Sequence, residues 1–202
     1  MISFRVFFSN LIKHLVDFSL NAVLYIHRIP VFSVIIKGLL KLFNPHKDIL
    51  MTLEGHKIYV NTIDRMMAVT FWKFSYSESY ERRFLKDFLW EGMCVVDVGA
   101  NLGYHTLQLA KCVGPNGKVY AFEPDPGNYR LLVKNVETNG YHNVIPVQKA
   151  VCDKPGSISL FVCEENRGDN RMFNSHDGRK AIEVESVSLD QFLGHIQVPI
   201  DL

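Results

Sequence analysis

The residues of this 202-residue chain whose types and spacing can do chemistry are two acids and two glycines: Asp97, Gly99, Gly103 and Glu123. Gly99 and Gly103 bracket a short turn, Gly99-Ala100-Asn101-Leu102-Gly103, directly after the branched apolar run Val95-Val96-Asp97-Val98. Glycine at a strand end lets the main chain turn sharply and approach a ligand. Glycine at a helix start allows close helix-to-strand packing, and the helix start itself offers unpaired N–H donors. A dinucleotide fingerprint requires Gly-x-Gly-x-x-Gly, whose middle glycine lets a pyrophosphate lie on the backbone. Asn101 stands at that middle position, so a pyrophosphate fits poorly. Glu123 closes the next apolar run, Lys118-Val119-Tyr120-Ala121-Phe122, where a carboxylate can accept both hydroxyls of a ribose.

S-adenosyl-L-methionine meets these constraints, because it has no phosphate and carries an ammonium group for an acid to attract. In this reading Gly99, Ala100 and Gly103 shape a methionine pocket with Asn101 in the same turn, and Asp97 orients the amino group. Glu123 grips the ribose with Pro124 beside it, and Ala150 and Val151 flank the adenine. His105, in the first turn of the following helix, is placed either to line the cofactor or to act as a base toward a hydroxyl acceptor. No catalytic residue is assigned. The histidines and acids fall at no metal-ligand spacing, so no metal is expected.

The elements that must position these residues are legible from periodicity. The apolar run 95–98, the glycine turn and the helical pattern of Leu107, Leu109 and Ala110 make a strand, loop and helix. Residues 118–122 and 143–151 read as two further strands, and Thr52 to Val60 as a hairpin turning at Gly55. Ser157 to Val162 and Ile182 to Val187 read as two strands paired with each other. Between them the polar stretch Glu164 to Arg171 forms a loop, with Asn170 and Arg171 as candidate acceptor contacts or as ordinary solvated residues.

The segments Asp97-Val98-Gly99-Ala100-Asn101-Leu102-Gly103-Tyr104-His105-Thr106, Phe122-Glu123-Pro124 and Ala150-Val151-Cys152-Asp153 resemble the FkbM family of S-adenosylmethionine-dependent methyltransferases. Tyr80-Glu81 and Ser186-Val187-Ser188-Leu189-Asp190-Gln191-Phe192 resemble that family's flanking patterns. The resemblance implies a class I, Rossmann-like α/β sheet of seven strands in the order 3-2-1-4-5-7-6. It also implies methyl transfer to a hydroxyl oxygen of a small-molecule or glycan acceptor: a sugar, a polyketide or a lipid-linked glycan. Glu81 then faces the methionine moiety, or pairs with Arg82 or Arg83 on a solvated helix face. The family's fourth strand is only begun at Ile200-Asp201-Leu202, so residues 48–202 are expected to form a partial domain of three sheet strands plus a hairpin, truncated at the C-terminus. The edge at Val95 to Val98 is then exposed or covered by something else; left unpaired it is an aggregation hazard, and the fold is expected to be marginal. Two rivals stand beside this reading: a nicotinamide-dependent oxidoreductase on the same supersecondary unit, and an inactive remnant or interaction module.

With 48% hydrophobic and 21% charged residues, the chain can bury a core and is not compositionally disordered. Cys94, Cys112, Cys152 and Cys163 form no Cys-x-x-Cys pair, which favours a reducing cytoplasm. Charge is unevenly placed: residues 1–47 hold Arg5, Lys13, Arg28, Lys37, Lys41 and Lys47 against Asp17 alone, and the remainder is net negative. The acidic balance of the catalytic portion argues against a nucleic-acid partner. Within 1–47, Phe4, Phe7, Phe8, Leu11, Leu15 and Phe18 recur at helical spacing, and a second apolar stripe follows Pro30. This helical N-terminal extension either packs on the catalytic domain or another subunit, or rests on an anionic bilayer at the inner membrane surface. No charge-free run approaches the roughly twenty residues of a spanning helix.

Overall fold

The computed structural model describes residues 48–61, 85, 87–164, 166–194 and 200–202, all within one compact unit, His46–Leu202. The N-terminal stripes and Glu81 lie outside the described residues. Among the described residues, no helix is long and apolar enough to cross a membrane.

The first described element is an antiparallel hairpin, β1 (Asp48–Leu53) and β2 (His56–Asn61), turning at Glu54-Gly55, where both residues have positive φ. The Rossmann-like part follows. β3 (Cys94–Val98), β4 (Lys118–Phe122) and β5 (Val144–Val147) form a parallel sheet in that order, with Asp97 opposite Ala121 and Val98 opposite Phe122. Branched and aromatic residues in β3 and β4 suit a sheet covered on both faces. Helix α1 (Tyr104–Val113) starts at Gly103, whose φ of 95° only glycine adopts readily, and stops at Gly114. Asn143 donates its side-chain amide to the carbonyls of Ala110 and Gly114, each at 2.8 Å, satisfying acceptors that the helix end leaves over. Helix α2 (Pro126–Thr138) is capped by Asp125, whose carboxylate accepts from the Asn128 N–H at 2.8 Å, with proline in the first turn.

Two apolar clusters flank the parallel sheet. Leu107, Val113, Val119 and Leu132 belong to the larger one, together with Leu53, Ile58 and Val60 of the hairpin. Cys94, Tyr120, Phe122, Val147 and Val187 form the other, closed by Phe192 of the short helix α3 (Leu189–Leu193), whose ring stands edge-on to Phe122 at 5.0 Å.

One expectation changes. The run 143–151 is not one strand: it breaks at Gln148-Lys149, and β6 (Ala150–Val151) leaves the parallel sheet to pair with β8 (Lys180–Val187), which also pairs antiparallel with β7 (Gly156–Val162). The β3 edge, too, is paired over Cys94 to Val96, while Val98 stays exposed. The Asp201 N–H donates to the Cys94 carbonyl and the Val96 N–H to the Leu202 carbonyl, each at 2.8 Å. The Asp201 carboxylate also accepts from the Cys94 N–H at 2.8 Å.

Candidate cofactor-binding site

A cleft of about 200 Å³ opens at the carboxyl ends of β3 and β4. Its floor is Val98, Gly99 and Asn101; Glu123 and Pro124 form one side, and Ala150 and Val151 the end of the next strand. This is where an open α/β sheet accepts ligands, because strand order forces successive loops apart there.

The loop is wired to β4 through its own amides. The N–H groups of Gly99 and Ala100 both donate to the Phe122 carbonyl, at 3.0 and 2.9 Å, and that of Asn101 donates to Glu123 Oε2 at 2.8 Å. The Leu102 N–H goes to Asn101 Oδ1 and the Gly103 N–H to the Ala100 carbonyl. Every amide from 99 to 103 is thus committed inside the protein, so the loop itself, contrary to a phosphate-cradling turn, offers no row of donors to an anion.

Glu123 is 5% exposed, and besides Asn101 it accepts from the Asp125 N–H at 2.9 Å and the Asn128 amide at 3.5 Å. Burial pushes its carboxyl up to about 7, against the opposing pull of these donors. Asp97 is also raised by burial, partly countered by the Thr106 hydroxyl, which donates to Oδ2 at 2.6 Å.

Of the residues singled out from the sequence, Gly99, Asn101, Glu123, Pro124, Ala150, Val151 and Asn170 line this cleft together. The others stand apart from its lining. Ala100 is buried behind the loop, Gly103 packs against Leu132, and Asp97 faces Thr106. His105 is exposed, with its ring 4.9 Å from that of Tyr104. Arg171 pairs with Asp169 at 3.0 Å and lies over the Phe173 ring. Sequence reasoning passed over Lys149, Arg167 and Met172, which do line the cleft. Arg167 sits in the polar stretch 164–171, but nothing local in the sequence signals its partner, Asp125, 42 residues away.

The residues present fit an adenosyl ligand on two grounds. The Asn170 carboxamide has its oxygen pinned by the Cys163 N–H at 2.9 Å, leaving a buried nitrogen with no hydrogen-bond partner among the described residues. The Glu123 carboxylate retains acceptor capacity beside the cleft, suited to the hydroxyls of a ribose.

The sheet order, the glycine turn and the acid at the end of the second parallel strand define a Rossmann-like domain of the class I methyltransferase kind. The profile of the methyltransferase FkbM domain matches residues 97–202, and the chain belongs to that family of S-adenosylmethionine-dependent proteins. Among curated relatives, a protein-L-isoaspartate O-methyltransferase of Methanothrix thermoacetophila is 43% identical over 54 residues, 27% of this chain and 26% of that protein. The tRNA(Phe) (4-demethylwyosine(37)-C(7)) aminocarboxypropyltransferase of Methanocaldococcus jannaschii is 36% identical over 106 residues, 51% of this chain and 41% of that one. A solved structure of M. jannaschii TYW2 in complex with AdoMet aligns with a TM-score of 0.40 at 28% identity, over 52% of this chain and 44% of that chain. The chain therefore spans less than half the length of these relatives.

Proposed function

We propose that this protein binds S-adenosyl-L-methionine in the cleft between Gly99 and Val151 and transfers its methyl group to a hydroxyl oxygen of a sugar, a polyketide or a lipid-linked glycan. The observation that carries the reading is Glu123: a buried carboxylate at the end of β4, tied across the loop by the Asn101 N–H and bordering the cleft. When bound, the cofactor supplies a sulfonium methyl already activated by its positive charge. The protein is left to align the acceptor with it and to exclude water. Glu123 accepts the ribose hydroxyls, the Asp97 carboxylate attracts the ammonium group, and Pro124 with Val151 covers the base. The family membership supports methyl transfer, and its resemblance supports oxygen as the acceptor atom.

Calorimetric titration with S-adenosylhomocysteine and with NADH tests the cofactor. Binding of the first alone is expected; binding of NADH alone restores the oxidoreductase, and binding of neither leaves an interaction module. Labelled methyl transfer to hydroxyl-bearing glycans and polyketides, with tRNA and protein as comparison acceptors, tests the substrate class. Transfer confined to RNA or protein overturns the hydroxylated small-molecule or glycan acceptor. Peripheral contact with an anionic membrane through residues 1–47 belongs to the same reading, supported by their basic, aromatic-rich pattern. Full-length protein that stays in the supernatant with anionic vesicles at low salt removes it.

A further inference from the structure

The polar stretch after β7 is folded back over the cleft by contacts that tie it to the ribose acid. Its single turn of 3-10 helix, Arg167–Asp169, brings the Arg167 guanidinium to 2.8 Å from the Asp125 carboxylate. The Asp125 side chain is 2% exposed and that of Arg167 27%. The main chain is held as well: the Asn128 amide donates to the Arg167 carbonyl at 3.3 Å and reaches Glu123 Oε1 at 3.5 Å. At Gly127, in the first turn of α2, a methyl group would collide with Arg167 Nη1. Glycine is a poorer helix former than alanine. Here it leaves the space in which the guanidinium lies down. Asn170, whose buried side-chain nitrogen has no partner among the described residues, sits in the same folded-back segment and is among the residues lining the same cleft.

We propose that Arg167 is a specificity-determining residue for the adenosyl half of the cofactor, its planar guanidinium forming the outer wall of the purine site opposite Pro124 and Val151. The inference rests on the cofactor reading given above. A purine offers a π face on which a guanidinium stacks and ring nitrogens that accept from N–H donors. Asp125 offsets the charge of Arg167, so the wall presents a plane rather than a field for phosphate. That separates it from an arginine that selects a phosphorylated ribose.

The test is calorimetric titration of the full chain with S-adenosylhomocysteine and with 5′-methylthioadenosine, which keeps the adenosyl half and lacks the amino-acid end. Arg167→Ala removes the wall, and Gly127→Ala displaces the guanidinium without altering charge or the helix. Each is expected to weaken both ligands by the same factor, about tenfold, as befits loss of one stacked, hydrogen-bonding group. Arg167→Lys, which keeps charge without the plane, is expected not to restore affinity. Arg130→Ala, at the exposed pair with Asp48, is expected to bind as the unaltered protein does. Unchanged 5′-methylthioadenosine affinity in both Arg167→Ala and Gly127→Ala overturns the inference while leaving the cofactor reading intact. Failure of the unaltered protein to bind either ligand overturns the cofactor reading itself, and the inference with it.

Discussion

Asn101 bears on the cofactor class through its spacing and through its place in the loop. Spacing alone marks it as the wrong residue for a pyrophosphate loop. The structure adds that it takes the left-handed φ of 54° usually left to glycine, caps its own turn through Leu102, and spends its N–H on Glu123. Glu123 in turn carries the clearest pH dependence. Its folded carboxyl, near 7, lies above the ordinary value of about 4.3, so the fold holds a proton that the unfolded chain releases. Stability from this group is therefore full below about pH 4 and declines as pH rises toward 7. Glu123→Gln is expected to flatten that decline in urea titrations run across the range. Ligand binding runs the other way, because ribose hydroxyls donate best to the ionised carboxylate. Affinity for S-adenosylhomocysteine should rise about tenfold from pH 6 to pH 8, and Glu123→Gln should lose the rise together with about 1–3 kcal/mol of binding. Asp97 divides the ligand differently. If its half-buried carboxylate meets the ammonium group, Asp97→Asn weakens S-adenosylhomocysteine about tenfold or more and leaves 5′-methylthioadenosine unchanged; equal losses for both would assign Asp97 to the loop's fold alone.

Helix α2 holds the loop and the hairpin in one arrangement through two asparagines one turn apart. Asn135, fully buried, accepts from the Tyr59 N–H at 2.6 Å and donates to the carbonyls of Tyr59 and Leu102 at 3.1 and 2.8 Å. Asn139 repeats the exchange with the main chain of Lys57. Their amides extend the β2 edge as another strand would, which also blunts that edge. Asn135→Ala strands three main-chain groups at once and is expected to cost about 2–4 kcal/mol in urea unfolding. Asn139→Ala, at the solvent-facing end, should cost less than 1 kcal/mol by the same measurement. The strands, the glycine turn and the hairpin were legible in the sequence because each follows from periodicity and turn chemistry within a few residues. The break at Gln148-Lys149 was not. Two polar residues inside a run that is apolar on either side do not by themselves end a strand, and what divides it is the change of partner from β4 to β8, a strand that comes more than thirty residues later. The Arg167–Asp125 contact escaped for the same reason, since two charges distant in sequence carry no mark of each other.

Stability is unevenly spread over the molecule, and the uneven part borders the cleft. The parallel sheet is enclosed by the hairpin, α1 and α2 on the larger cluster and by Phe192 on the smaller. By contrast, the sheet of β6, β8 and β7 has only Ala150, Leu160 and Val184 as the buried members of its own cluster, and Met172 and Phe173 beyond it are 55% and 63% exposed. Regions with few buried apolar contacts open at lower free energy than the core. Amide hydrogen exchange should therefore protect β3 and β4 most, β7 and residues 166–172 least. Because Ala150, Val151, Leu160 and Arg167 all border the cleft, a ligand seated there bridges the weak sheet to the strong one. Stabilisation by binding follows ligand concentration over Kd, about 2.7 kcal/mol at a hundredfold excess. Saturating S-adenosylhomocysteine is thus expected to slow exchange in β7 and 166–172 far more than at the hairpin, which has no side chain in the cleft lining. Uniform slowing across all elements would mean that the two sheets already open together, and that the segment over the cleft is part of the core's cooperative unit rather than a wall the ligand completes.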